Sequence, residues 1–194
     1  MTTLAFALAA TIKHDGHGGI ADLLSTPEQA GAWLADHQDL VIDALGQAEL
    51  AEADVWPELV RIRKAVRALF ARAVAPEPPS KADADRLMDA DAALRLVNRA
   101  ADRLGSERLE WPVGGDPVVR RVARTQDPVA LLVGAVGRSA IDFLAGPDRA
   151  RLRACPAARC VKYFLQDDPR QTWCSPACGN RERVNRHYRR RTAG

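Results

Sequence analysis

The sequence predicts a mainly α protein of the α+β class. A helical body with one small β-hairpin occupies residues 1–148, and a compact cysteine-bearing module occupies residues 149–194. Three observations lead there. Apolar residues of the first 147 positions recur at three- and four-residue spacing. A single stretch, from Leu109 to Ala123, reads as a pair of strands around Gly114-Gly115-Asp116. All four cysteines fall between Cys155 and Cys178, and none occurs elsewhere. Charge divides at the same place. Residues 149–194 hold twelve Lys and Arg against three acids, a net of +9, whereas residues 1–148 carry a net of −6. An acidic body with a basic tail is not a uniformly basic nucleic-acid coat.

Taken in order, Leu4–Ile12 reads as a first core segment. It is too weakly flanked for a secretory leader, because the first cation is Lys13. Ser25-Thr26 before Pro27 signals a helix start, with Trp33 and Leu34 on its apolar face. A second helix is expected over 39–50. The clearest one runs over 57–74, where Leu59, Ile62, Val66, Leu69, Phe70 and Val74 form a stripe. Arg61, Arg63, Lys64 and Arg67 fill its gaps. Pro76, Pro78 and Pro79 break it. Ser80 and Asp83 are placed to cap the next helix, which is expected to reach Leu104 before Gly105. After the hairpin, Asp127-Pro128 starts a helix ending near Ala145, before Gly146-Pro147. No run approaches 18 apolar residues, since Pro128–Gly137 stops at Arg138, so no membrane span is expected.

The tail carries the chemistry. Cys155 and Cys160 enclose four residues, Cys174 and Cys178 enclose three, and thirteen separate the pairs. Two tight knuckles joined by a hairpin deliver four thiolates to a tetrahedral zinc. Paired disulfides are the alternative, but a chain able to build a core has little need of them. Clustering therefore points to one structural Zn2+ in a reducing, cytoplasmic compartment, with no open coordination site for catalysis. The expected arms are Val161–Leu165 and Thr172-Trp173, turned by Asp167–Arg170. Ser175-Pro176 should start a helix running through Arg191, with Cys178 in its first turn. A hairpin and a helix around one zinc make a treble-clef-like finger.

These residues resemble a known family. Cys155-Pro156, Tyr163-Phe164 with Asp167, Trp173-Cys174-Ser175, Cys178-Gly179-Asn180-Arg181 and His187–Arg190 are similar to the CGNR zinc finger. Many members have one more residue between the last two cysteines, so this knuckle is tighter. Bacterial proteins with this finger carry an N-terminal helical ABATE domain. Here that likeness rests on Phe6, Ala32-Trp33-Leu34 and Arg61-Ile62-Arg63. What the resemblance implies is DNA-linked, stress-induced transcription regulation.

The last helix supports the same expectation without the family. Arg181, Arg183, Arg186, Arg189, Arg190 and Arg191 face one acid, Glu182. Arg181, Asn185, Arg186, Tyr188, Arg189 and Arg190 are the candidate nucleic-acid contacts, because Arg and Asn read base edges and Arg neutralises phosphate. A solvated helix end is the competing explanation. His14 and His17 could form a second metal loop, though two histidines in a glycine turn are more often a plain loop. Asp83, Asp85, Asp89 and Asp91 read as a solvated acidic face. Trp33, Trp56 and Trp111 read as core aromatics. No phosphate loop, dinucleotide fingerprint or nucleophile elbow is present, so no catalytic residue is expected. Three classes stay open: a DNA-binding regulator whose body takes a small-molecule or protein effector, a structural or protein-binding clip, and an enzyme with a hidden pocket; the sequence leaves the oligomeric state open, a homodimer included. An Arg stripe on the outer surface favours the first. Folding of that helix onto the acidic body favours the second.

Overall fold

The computed structural model describes residues 3–15, 19–45, 54–75, 83 and 87–192, apart from the side chains of Arg121, Arg189, Arg190 and Thr192. The order is α1 (Leu4–Ala9), β1 (Ile12–His14), β2 (Ile20–Asp22), α2 (Pro27–Asp36), α3 (Gln38–Leu45), α4 (Trp56–Ala73), α5 (Ala90–Ala101), β3 (Ser106–Glu110), β4 (Val118–Val122), α6 (Pro128–Ala145), β5 (Leu152–Ala154), β6 (Tyr163–Leu165) and α7 (Pro176–Thr192). The described strands form three separate antiparallel pairs, β1–β2, β3–β4 and β5–β6.

Local chemistry sets the helix starts. Thr26 accepts a hydrogen bond from the Gln29 amide with Pro27 at the first position, and Asp127 accepts from the Val129 amide with Pro128 there. The start of α5 differs from expectation. Asp89 accepts from the Ala92 amide at 2.8 Å, so the cap lies beyond Asp83, and Ser80 and Asp85 fall outside the described residues. The second expected helix is seen as α3, and residues 46–50 also fall outside the description.

α6 is the centre of the body. By length and composition it could cross a membrane, yet it is a core helix in contact with α1, α3, α4 and α5. Its approach to α5 is close. A Cβ at Gly137 would meet the Val97 carbonyl oxygen at 2.9 Å and the Ala101 nitrogen at 3.0 Å, backbone atoms that cannot swing aside. Small residues face it there, Ala100 and Ala101.

An aromatic nucleus explains how so few rings suffice. Phe6 of α1, Phe70 of α4 and Phe143 of α6 meet with centroids 5.2 to 6.0 Å apart. The fourth ring comes from the tail: Tyr163 of β6 stands edge-on to Phe70 at 5.7 Å. Leu152 of β5 is buried in the same core. Phe164, pointing to the opposite side of its strand, packs among the cysteines. One strand thus joins two cores. The Tyr163 hydroxyl is buried with no hydrogen-bond partner among the described residues, and burial pushes its pKa up. Tyr163→Phe is therefore expected to leave stability unchanged or raise it by up to about 1 kcal/mol, as read by thermal or denaturant melts.

Two arginines of α4 depart from the sequence reading. Arg63 and Arg67 are each 3% exposed rather than lining a solvated flank. Arg63 donates to both carboxylate oxygens of Asp22, at 2.6 and 2.7 Å, and to the Thr11 hydroxyl at 2.9 Å. Arg67 donates to the carbonyls of Ala9 and Val161, at 2.7 and 2.8 Å, and to the Asp83 carboxylate, and it lies over the Tyr163 ring. Asp83, expected on a solvated face, is 2% exposed. The reason is that α4 is covered on its polar side by the segments leading into β1–β2 and by the tail. Trp33 is buried, and Trp56 donates to the Leu24 carbonyl. Trp111 is not core: it is 70% exposed at the tip of the β3–β4 ribbon.

Candidate metal centre and its arginine-rich helix

The first knuckle is the tip of the β5–β6 hairpin. Leu152 pairs with Leu165 and Ala154 with Tyr163, and the Cys155 amide donates to the Lys162 carbonyl at 2.9 Å. Inside the loop the Cys160 amide donates to the Ala157 carbonyl at 2.9 Å. This corrects the expected pairing of Val161–Leu165 with Thr172-Trp173. The partner strand precedes the first cysteine, and residues 166–173 form a loop closed by side chains. Gln166 donates to the carbonyls of Pro169 and Gln171, and the Gln171 side chain accepts from the Asp167 amide. The second knuckle is as expected. Ser175 accepts from the Cys178 amide at 3.3 Å, so Cys178 sits in the first turn of α7.

The four sulfurs lie within 4.8 Å of one another, and all four cysteines are free thiols. Sγ separations are 3.8 Å for Cys160–Cys174, 3.6 Å for Cys174–Cys178 and 3.9 Å for Cys160–Cys178. A disulfide would need about 2.05 Å. A tetrahedron of thiolates about 2.3 Å from a zinc ion has edges near 3.8 Å, so the cage fits that ion. With protons alone to neutralise it, charge is shared unequally. Cys155 is held down to about 2 because the thiols of Cys160 and Cys174 donate toward it, with an amide contribution from Cys174. Cys160 is pushed up to about 11, and Cys174 is pushed up as well, chiefly by their bonding to Cys155. A bound divalent cation takes the place of those protons, making all four thiolates.

The next shell of contacts ties the cage to its surroundings. Arg181 donates to the Cys178 sulfur at 3.1 Å and, through its other terminal nitrogen, to His14 Nε2 at 2.9 Å. A guanidinium only donates, so Nε2 accepts and the imidazole proton resides on Nδ1, the side of Asp15. Glu182 accepts from the Ala158 amide at 2.8 Å and from Asn185 at 3.2 Å, clasping the first knuckle to α7.

The family model described as "Putative stress-induced transcription regulator", ABATE, matches residues 2–147. The chain belongs to the ABATE family. The CGNR zinc finger model matches residues 151–191, over the knuckles and α7 of this ABATE protein. None of the curated proteins matches the chain.

In this ABATE protein the four residues of the finger's motif have separate duties. Cys178 is a ligand of the cage. Gly179 makes room for Trp173, whose Cδ1 would lie 2.9 Å from a Cβ there. Asn180 accepts from Arg183 at 2.9 Å, and Arg181 braces the cage against the body. Of the candidate nucleic-acid contacts, Arg181 and Asn185 are only partly exposed and turned toward the finger, whereas Arg186 and Tyr188 are exposed. Arg189 and Arg190 lie on α7, with side chains outside the described residues. The sequence reading missed the braces: His14, weighed as a metal ligand, holds Arg181, and His17 falls outside the described residues. The one signal for Glu182 was its isolation among arginines.

The body has a concavity of its own. A cavity of about 690 Å³ opens between α1, α3, α6 and the base of β3. Leu4, Leu40 and Leu104 are among its apolar lining, with Asp43, Arg138 and Asp142 among its polar groups.

Proposed function

We propose that this ABATE protein is a cytoplasmic, non-catalytic transcription regulator that holds duplex DNA with the outer face of α7, while its body takes an effector. One observation carries the reading. Arg183, Arg186 and Arg191 are exposed, and among the described residues none of them is ion-paired with a carboxylate. The acidic body therefore leaves their charge for another polyanion. Arginine suits phosphate oxygens through its planar, bidentate fork. The body cavity, lined by both apolar and charged side chains, is the natural seat for an effector. Because Arg67, Tyr163 and Arg181 fasten the finger to the body, a shift in the body would re-aim α7. A clip role is favoured by a different observation, the burial of β5–β6, and it concerns the opposite side of the finger.

The test is binding of zinc-loaded protein to mixed-sequence duplex DNA across a salt series. With four to six phosphate contacts, log affinity should fall against log salt with a slope of about −4 to −5. Salt-independent binding, or none at low salt, would leave only the clip role.

A further inference from the structure

We propose that the β3–β4 ribbon is a dimerisation element, in which β3 pairs antiparallel with β3 of a second copy of this chain about a two-fold axis at Leu109. The ribbon is a two-stranded sheet whose strands pair with no other described strand. Such a ribbon, wet on both faces, is marginal alone, and three or more strands are normally needed. It also exposes several large apolar residues: Leu109 is 67% exposed, Trp111 70%, Val119 64% and Val118 49%. By register Leu109 stands opposite Val119, so both share one face. β3 carries no lysine and no proline within Ser106–Glu110, and its edge charges, Glu107, Arg108 and Glu110, are of both signs.

The charge pattern selects both the occupant and the register. In an antiparallel two-fold pairing, one residue meets its own copy at the axis. An axis at Glu107, Arg108 or Glu110 would set like charges face to face, which is destabilising. An axis at Leu109 sets Leu109 on its own copy, Arg108 on Glu110 of the second copy, and Glu110 on its Arg108. This arrangement also relieves a defect of the lone ribbon. Arg108 there lies directly opposite Arg120, a like-charge pair, while Glu110 engages Arg120 diagonally at 3.1 Å. The second copy would supply Arg108 with its missing carboxylate. The result is a four-stranded sheet with Leu109 and Val119 of both copies on one face. A pairing through β4 is poorer, because an axis at Val119 makes no ion pair and brings Pro117, which lacks an N–H, into the ladder.

The experiment uses the full zinc-loaded chain in sedimentation equilibrium over a concentration series. Wild type should be a dimer. Arg108→Glu and Glu110→Arg each turn both inter-copy ion pairs into repulsions and should raise the dissociation constant roughly ten- to a hundredfold. Mixed together, the two variants should form a heterodimer again. One copy then carries carboxylates at both positions 108 and 110, the other carries guanidinium groups at both, and each cross-copy pair is again of opposite sign. Leu109→Lys, which sets two ammonium groups at the axis, should be monomeric with unchanged helical circular dichroism. A monomeric wild type, a dimer indifferent to these changes, or variants that fail to recombine would each overturn the proposal.

Discussion

Stripping the metal, or replacing Cys178 with Ser, is expected to unfold residues 150–192 and to lower the melting temperature of the helical body as well. The first half follows from size. A module of about 40 residues cannot bury enough surface to fold alone, so metal binding and folding are one equilibrium. Cys155, Cys160, Phe164 and Cys178 form a small cluster whose centre is the sulfur cage itself. The second half follows from Tyr163 and Leu152, which leave the body core when the hairpin opens. Two large side chains and one aromatic pair are together worth about 3–6 kcal/mol. For a chain of this size that is a drop of about 10–20 °C, with the helical signal largely kept. Elemental analysis should find about one zinc per chain before chelation, and circular dichroism melts should show the shift afterwards. A body truncated after residue 148 should stay soluble and helical with the same lowered midpoint. An unchanged midpoint would show that the finger is only tethered.

Arg67→Ala should be the most damaging single change outside the cysteines. Its guanidinium satisfies two backbone carbonyls and one buried carboxylate, from three separated parts of the chain. Removing it leaves the Asp83 charge uncompensated in the interior, a loss of about 3–5 kcal/mol. Arg67→Lys should not rescue it, because one ammonium cannot reproduce the fork that reaches Ala9, Asp83 and Val161 together. Pairing the change with Asp83→Leu should recover part of the loss, since the buried charge is then gone. Because one contact of Arg67 is the Val161 carbonyl, the variant should also release zinc to a chelator faster than wild type. Denaturant melts and a chelator-release time course read the two effects. Retention of full stability by Arg67→Ala would mean that the buried pair is not a structural hub.

The helices were largely legible because each rests on signals that neighbour one another in sequence. Asp127-Pro128 before an apolar run led to α6 as seen, and the stripe from Leu59 to Val74 led to α4. The zinc ligands were legible for the same reason: knuckle spacing is local, and Ser175-Pro176 announces the helix that carries Cys178. The β1–β2 and β5–β6 pairs were not legible, since three-residue strands show no alternation to read. Arg63, Arg67 and Asp83 were misplaced because the burial of a charge depends on a partner distant in sequence, 41 residues away for Arg63 and Asp22. Trp111 reads as core by residue type, yet it is 70% exposed at the tip of its ribbon, which no other described strand joins. Arg181 shows the limit most plainly, since only the fold brings His14 within its reach.

The most direct test of the central claim, that α7 meets DNA with its outer arginines while Arg181 serves the zinc cage, is the salt slope of DNA binding by two variants beside wild type. Arg189→Ala with Arg190→Ala should reduce the magnitude of the slope by about two, one unit for each lost phosphate contact. Arg181→Ala should keep the wild-type slope at saturating zinc while releasing the metal more readily. A double variant with an unchanged slope, or an Arg181 variant whose slope falls by about one, would contradict this assignment of the arginines.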